Sequence, residues 1–397
     1  MSDDFLPYGR HQIDEDDIAA VVDVLRHGAL TGGPKVDAFE AAFAKAVGAA
    51  EAIVCSNGTT ALHLAVIAAG VEPGDQVIVP AVTFLSTANV VRMAGADVVF
   101  ADVCPETGLL TSETLAAALE RSEKAVAVMP VHLNGQCVEM PDLQGLIEAN
   151  NLKVITDCCH ALGATYKAGG FPGDGQYEDF ACFSLHPVKS IAMGEGGVVT
   201  TNDPMVAKRL RHLRGHDMRR DPRDWKMPDG FAPDGQANPW YYEMHELAYN
   251  YRATDMQCAL GLSQLGKLRQ FVARRAEIAD RYDKALTGAS NVLKPVRRTS
   301  LATSAWHLYP VLIDFDAVGV SRAELMKRLQ AKGVGSQVHY LPVPWQPYYR
   351  DLYGEPHFPG AGRYYEAVLS LPIFPAMSDA DVDRVAQALK EIVGEAK

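Results

Sequence analysis

Between about residue 50 and residue 202 the chain alternates short apolar runs with longer amphipathic stretches. That is the pattern of strands joined by helical crossovers. The runs fall at 51–55, 76–79, 97–103, 125–131, 153–157, 180–185 and 197–201. Several are apolar at nearly every position, as in QVIVP, KAVAVMP and LKVITD, and strands covered by helices on both faces read this way. An α/β fold built on a mostly parallel sheet of about seven strands follows. Helix-like segments are predicted at 59–70, 85–94 and 142–150, and at 14–27, which starts from Asp14 with acidic residues in its first turn. Residues 215–245, rich in Gly, Pro, Asp and aromatics, break the pattern and read as a long excursion. Such a stretch is a functional loop or a plain surface insertion. A long helix is predicted over 255–286, and 291–397 reads as a smaller α+β unit ending in a helix near 378–394. The division expected is a large unit over 1–255, then 256–397 as the linking helix and small C-terminal unit.

Composition narrows the classes. With 397 residues and 48% hydrophobic content the chain can bury a large core. Its net charge of -12 comes from 49 acidic against 37 basic residues spread along the chain, so no broad basic surface exists to neutralise a nucleic acid. Residues 1–10 show no basic segment followed by an apolar stretch, and no run of about 18 apolar residues occurs. A cytoplasmic protein with no membrane association is expected. Seven cysteines, Cys55, Cys104, Cys137, Cys158, Cys159, Cys182 and Cys258, are odd in number and scattered, which reads as buried, reduced thiols. The pair Cys158 and Cys159, with His160 adjacent and His132 and His186 elsewhere, suggests a metal site on paper. Adjacent strand positions face opposite ways, so no metal is expected.

Three segments carry candidate chemistry. In FACFSLHPVKSIAMGEGG a strand ends at Ser184, a turn with Pro187 follows, and Lys189 stands before a glycine pair. A lysine partly buried there has a lowered pKa and a free amine able to trap a cofactor aldehyde, although most lysines are solvated surface charges. In ITDCCHALGA, Asp157 ends an apolar strand. A buried aspartate calls for a cationic partner such as a protonated pyridine nitrogen; the other reading is a helix cap or turn. In SNGTTALHLAV, Gly58 and two threonines stand between a strand and a helix, a ready phosphate site that any well-capped helix also resembles. Together the three fall on strand ends that share one edge of a parallel sheet, where ligands bind.

These segments resemble the DegT/DnrJ/EryC1/StrS sugar aminotransferases, within fold type I of the pyridoxal 5′-phosphate (PLP) enzymes. The likeness runs from PYGR and LTGGPKVDAFE through SNGTTALHLAV and TFLSTAN to HYLPVPWQPYY. The lysine loop and YYEMHELAYNYRATDMQCALGLSQL resemble most closely the UDP-4-amino-4,6-dideoxy-N-acetyl-β-L-altrosamine transaminases of pseudaminic acid synthesis. The resemblance implies that Lys189 carries PLP as a Schiff base and shuttles the proton, while Asp157 holds the pyridine nitrogen and His160 approaches the phenolic oxygen. It also implies that Gly58, Thr59 and Ser184 contact the phosphate. Phe84 stands where relatives stack an aromatic on the ring, with a core phenylalanine as the other reading. Asn250 resembles the asparagine that reaches the neighbouring subunit's phosphate, which implies a homodimer with shared active sites. Tyr8, His186, His339 and Tyr340 are candidate substrate neighbours, with packing roles equally open. Pro344 and Trp345 depart from the histidine many relatives carry there.

The implied reaction moves an amino group from L-glutamate to C4 of a nucleotide-linked 4-keto-6-deoxy sugar, with a UDP-N-acetyl sugar favoured over a GDP- or dTDP-linked one. A sugar dehydratase of the same family has histidine in place of the lysine, so Lys189 argues against it. A non-catalytic nucleotide-sugar-binding or regulatory protein is opposed by the intact Asp157, Ser184 and Lys189.

Overall fold

The apolar runs pair into a seven-stranded sheet in a computed structural model that describes residues 5–355 and 357–395. Its strands are β1 (Glu51–Cys55), β2 (Gln76–Pro80), β3 (Asp97–Ala101), β4 (Ala125–Val128) and β5 (Lys153–Asp157). A short β6 (Thr165–Tyr166) stands apart, and β7 (Phe180–Ser184) and β8 (Gly197–Thr201) complete the sheet. The order is β1-β8-β7-β5-β4-β2-β3. All neighbours from β3 to β7 pair in parallel, while β8 is antiparallel to both β7 and β1. Strand β1 therefore points the same way as β7, and the carboxyl ends of β1, β2, β4, β5 and β7 open on one edge.

Two predicted strands are shorter than their apolar runs. Pro130 has no N–H for the ladder, and after Val128 the pairing thins to Met129 N donating to Ile78 O and a Val131–Asp157 bridge. Beyond Ala101, the Asp102 carboxylate turns to accept the N–H groups of Gly360 and Ala361.

The predicted helices at 14–27, 59–70, 85–94 and 142–150 are present as α1 (Glu15–His27), α3 (Gly58–Ala68), α4 (Leu85–Met93) and α6 (Gln144–Ala149). Sequence reading missed α2 (Pro34–Val47), α5 (Ser112–Glu120) and α7 (Pro204–Arg214). The long α8 (Asp255–Leu286) starts at a Thr254–Gln257 capping box. Beyond it lies a three-stranded antiparallel sheet of β9 (Leu293–Pro295), β11 (Tyr309–Ile313) and β12 (Val368–Leu371), while β10 (Ala302–Thr303) pairs with β6. That sheet buries its apolar side chains with Ile278, Tyr282 and Leu286 of α8 and with Val382, Val385 and Leu389 of the terminal helix Asp379–Glu395.

The free edge of β1 is capped by side chains. Glu40 of α2 is buried and accepts from Val54 N at 3.0 Å. Arg214 donates to Val54 O and to Glu40, and Arg211 donates to Ala52 O, Glu40 and Glu51.

The 215–245 stretch is an excursion as predicted, but an ordered one. Buried Asp217 accepts from Arg219 Nε, His245 N and Glu246 N, and buried Glu243 from Lys226 N, Met227 N and Tyr241 Oη. Trp240, Tyr242 and Met244 alternate with those inward residues and are exposed. All seven cysteines are free; Cys104 and Cys159 are only half-buried, which corrects the expectation that every thiol is enclosed. Among the described residues no helix is long and apolar enough to cross a membrane.

Candidate active site

A cavity of about 580 Å³ lies at the carboxyl ends of the parallel strands. Eleven of the twelve residues singled out from the sequence line it: Tyr8, Gly58, Thr59, Phe84, Asp157, His160, Ser184, His186, Lys189, His339 and Tyr340. Asn250 does not. It is exposed, and its main chain bridges to Gly215 on the far side of the excursion.

The cradle at one end of the cavity is made by the start of α3. Asn57 caps that helix, accepting from Thr60 N at 2.9 Å while its own N–H donates to Thr60 Oγ1 at 3.1 Å. Thr60 is used in the cap, and the neighbouring Thr59 hydroxyl is left on the cavity side, 2.7 Å from Ser86 Oγ. Gly58 and Thr59 occupy the first turn, where N–H groups have no intrahelical acceptor and point toward an anion. The space is tight. A Cβ on Gly58 would lie 2.8 Å from Ser184 Cβ, and one on Gly197 would lie 2.1 Å from Asn57 O.

Asp157 closes β5 and is 5% exposed. One carboxylate oxygen accepts from Cys159 N at 3.1 Å, as the turn reading anticipates, and the other from Thr87 Oγ1 at 2.8 Å. Among the described residues it has no ion pair within 4.0 Å. A carboxylate enclosed in this way is stabilised by a cation brought in by a ligand.

Lys189 is reached through a compact turn in which its N–H donates to His186 O at 2.8 Å and Leu185 N donates to Gly196 O. Gln264 of α8 anchors the loop, accepting from Ala192 N and donating to Gln12 O and Asp17 Oδ2. Desolvation pushes the Lys189 ammonium below its ordinary value, against the opposing pull of Cys159 and Asp157. Burial thus favours the free amine.

The wall opposite the cradle is aromatic and imidazole-rich. Phe84 is 54% exposed on the rim, so the core reading for it falls. His160 Nδ1 accepts from Asn134 N at 3.2 Å, its Nε2 lies 3.2 Å from Tyr340 Oη, and its ring centroid is 4.4 Å from that of buried His307. Tyr8 comes from an N-terminal strap whose Leu6 pairs with Gly333 and Gly335 and whose Tyr8 O accepts from Ile373 N. Its ring stands 5.5 Å from His339, whose Nδ1 meets Ser370 Oγ at 2.9 Å. Burial holds His339 down at about 3 and His160 well below the usual imidazole value, so both are neutral.

Thr87, Asn134 and His307 were missed in the sequence. Thr87 lies in TFLSTAN, one turn beyond Phe84, and the Asn134–Gly135 dipeptide is itself a turn signal. The vicinal cysteines lie in the turn after β5 rather than on adjacent strand positions as expected, and they still diverge: Cys158 is buried in the core and Cys159 lines the cavity. Among the described residues no group of three or more His, Cys, Asp or Glu is arranged to hold a metal ion.

This chemistry fits PLP: a helix-start cradle for its phosphate, a buried carboxylate for its ring nitrogen and a desolvated lysine for its aldehyde. The DegT/DnrJ/EryC1/StrS aminotransferase family model matches residues 11–390. The spore coat polysaccharide biosynthesis protein SpsC of Bacillus subtilis is 38% identical over 392 residues, covering 98% of this chain and 97% of that protein. Among solved structures, Helicobacter pylori PseC, an aminotransferase involved in the biosynthesis of pseudoaminic acid, superposes with a TM-score of 0.87 at 27% identity, covering 98% of this chain and 100% of that one. The PLP form of the putative sugar aminotransferase Spr1654 from Streptococcus pneumoniae superposes with a TM-score of 0.86 at 27% identity, over 99% of this chain and 100% of that one. With the match running almost end to end, the chain belongs to the DegT/DnrJ/EryC1/StrS aminotransferase family and is a PLP-dependent enzyme of fold type I.

Proposed function

We propose that this protein transfers an amino group from L-glutamate to C4 of a nucleotide-linked 4-keto-6-deoxy sugar, with a UDP-N-acetyl sugar of pseudaminic acid synthesis as the leading substrate. The observation that carries the reading is the meeting of Lys189 and Asp157 in one cavity that also holds the start of α3. Likeness to PseC supports the choice of sugar class.

When bound, PLP supplies an electron sink for the carbanion that transamination requires. Asp157, anchored by Thr87 and Cys159 N, neutralises the positive charge of the ring nitrogen. The Gly58 and Thr59 amides and the Ser184 hydroxyl hold the phosphate. Phe84 covers a ring face from the rim. Lys189 Nζ, whose ammonium burial pushes below its ordinary value, would carry the proton between substrate and cofactor, off the donor's carbon in the first half of the reaction and onto C4 of the sugar in the second. Tyr8, His186, His339 and Tyr340 line the cavity and are assigned to the sugar. Asn250, exposed and outside its own cavity, is assigned to the phosphate of a second copy, which makes the working unit a homodimer.

The test is an amino-transfer assay across UDP-, GDP- and dTDP-linked 4-keto sugars with glutamate as donor. Turnover on the UDP-N-acetyl sugar is expected, with loss of turnover and of the visible band near roughly 400–430 nm in Lys189→Ala. Activity confined to a GDP or dTDP sugar overturns the substrate assignment and leaves the amino transfer standing. Unaltered turnover in Lys189→Ala overturns the mechanism.

A further inference from the structure

We infer that Asn134 is a positioning residue: its main-chain N–H holds His160 as the neutral Nε2–H tautomer, so that the His160–Tyr340 pair offers a hydrogen-bond donor to an anionic oxygen in the cavity. The inference rests on the reading of this cavity as the PLP site, where the cofactor's phenolate is an oxygen of that kind.

A main-chain N–H can only donate. His160 Nδ1, 3.2 Å from Asn134 N, is therefore the unprotonated ring nitrogen, and the proton of the neutral imidazole sits on Nε2. Nε2 faces Tyr340 Oη at 3.2 Å, so Tyr340 accepts that proton and keeps its own hydroxyl hydrogen for a further acceptor. Both residues line the cavity. The other tautomer and the imidazolium both place a hydrogen on Nδ1, directly against the Asn134 N–H. Burial, the largest influence, disfavours a charged imidazole here, and Lys189 adds to it. His307, packed against the ring at 4.4 Å, is itself held neutral by burial.

The amide is aimed by an unusual turn. Asn134 is fully buried in the left-handed region (φ 65, ψ -1), which few non-glycine residues adopt. Its Nδ2 donates to Tyr364 Oη at 3.2 Å, while its Oδ1 is buried without a partner. The turn is held from both sides: Leu308 N donates to Asn134 O and Ala305 N to Gly135 O. A Cβ on Gly135 would lie 2.7 Å from Trp306 N and 3.0 Å from His160 O. Strain and an orphaned amide oxygen persist in folded proteins where the surroundings over-determine them, and such places cluster at functional sites. Here the over-determined group is the one N–H that meets His160.

Histidine-selective 15N NMR reads the tautomer directly, with His160→Gln assigning the resonances. An unprotonated Nδ1 and a protonated Nε2 are expected from about pH 6 to about pH 8, in the free and the PLP-loaded protein. A protonated Nδ1 overturns the inference. Asn134→Gly keeps both the N–H and the left-handed backbone at no steric cost and is expected to retain the His160 shifts and the visible spectrum of the loaded enzyme. Asn134→Val is expected to move both. If Asn134→Val lowers the melting temperature but moves neither, Asn134 is structural only and the inference falls. Absence of any visible band on adding PLP to the unaltered protein defeats the cofactor reading instead, and the ring shifts of the free protein still decide the tautomer.

Discussion

Gly58→Ala tests the phosphate cradle with a single methyl group. Gly58 is not in the left-handed region, so alanine costs nothing through the backbone; what it meets is Ser184 Cβ at 2.8 Å, Ser184 Oγ at 3.2 Å and Cys159 Sγ at 3.4 Å. Ser184 Cβ is fixed to the last residue of β7 and cannot swing aside. Overpacking of this kind costs about 1–3 kcal/mol, about 5- to 140-fold in an equilibrium constant. A shift of the turn from Asn57 to Thr60 away from Ser184 would move the Gly58 and Thr59 amides assigned to the phosphate, so the penalty falls on cofactor affinity. Titrating the free protein with PLP by absorbance should give a dissociation constant weaker by that factor, with a small change in melting temperature. Adding Ser184→Gly removes the colliding carbon and should recover part of the loss, the missing hydroxyl accounting for the rest. An unchanged dissociation constant in Gly58→Ala would refute the placement of the phosphate at this helix start.

Thr87→Val keeps the shape of the side chain and removes the hydroxyl that donates to Asp157. Loss of a hydrogen bond to a buried charge should weaken PLP binding by about 1.5–3 kcal/mol, read by the same titration; affinity within twofold of the unaltered protein sinks it. His132 and His339 are buried and held at about 3, below the roughly 6.5 of a free imidazole. The folded pKa being the lower, the unfolded chain takes up protons first as pH falls, so stability drops from about pH 6.5 toward about pH 3. Each contributes up to about 1.4 kcal/mol per pH unit in that window. A melting temperature that stays flat from about pH 7 to about pH 5 contradicts this.

The sheet was legible because seven runs are apolar enough to be covered on both faces, and the site because three unusual residues stood at strand ends. What escaped notice had other causes. Helix α7, PMVAKRLRHLR, was passed over although Val206, Ala207, Leu210 and Leu213 stand at helical spacing behind an Asp203 cap; its four cationic residues mask the apolar stripe that packs on the sheet. Helix α2 has Pro34 at its start and a left-handed Gly48 at its end, both readable stop signs, yet the segment was read only as a motif. Asn134 and His307 meet His160 from 26 and 147 positions away in the chain, and no local spacing announces such a contact. Asn250 stayed apart from the other eleven because it lies just after the excursion, bridged to Gly215 at the excursion's start.

The ionic cap on β1 has a consequence for how copies of this chain can meet. An outer strand with free amides and carbonyls invites another chain to extend the sheet. Here Glu40, Arg211 and Arg214 already occupy the outward groups of Ala52 and Val54, so association by sheet continuation is closed on the flank that bears the phosphate cradle. Copies that meet on this flank must therefore do so through side chains rather than through the β1 backbone.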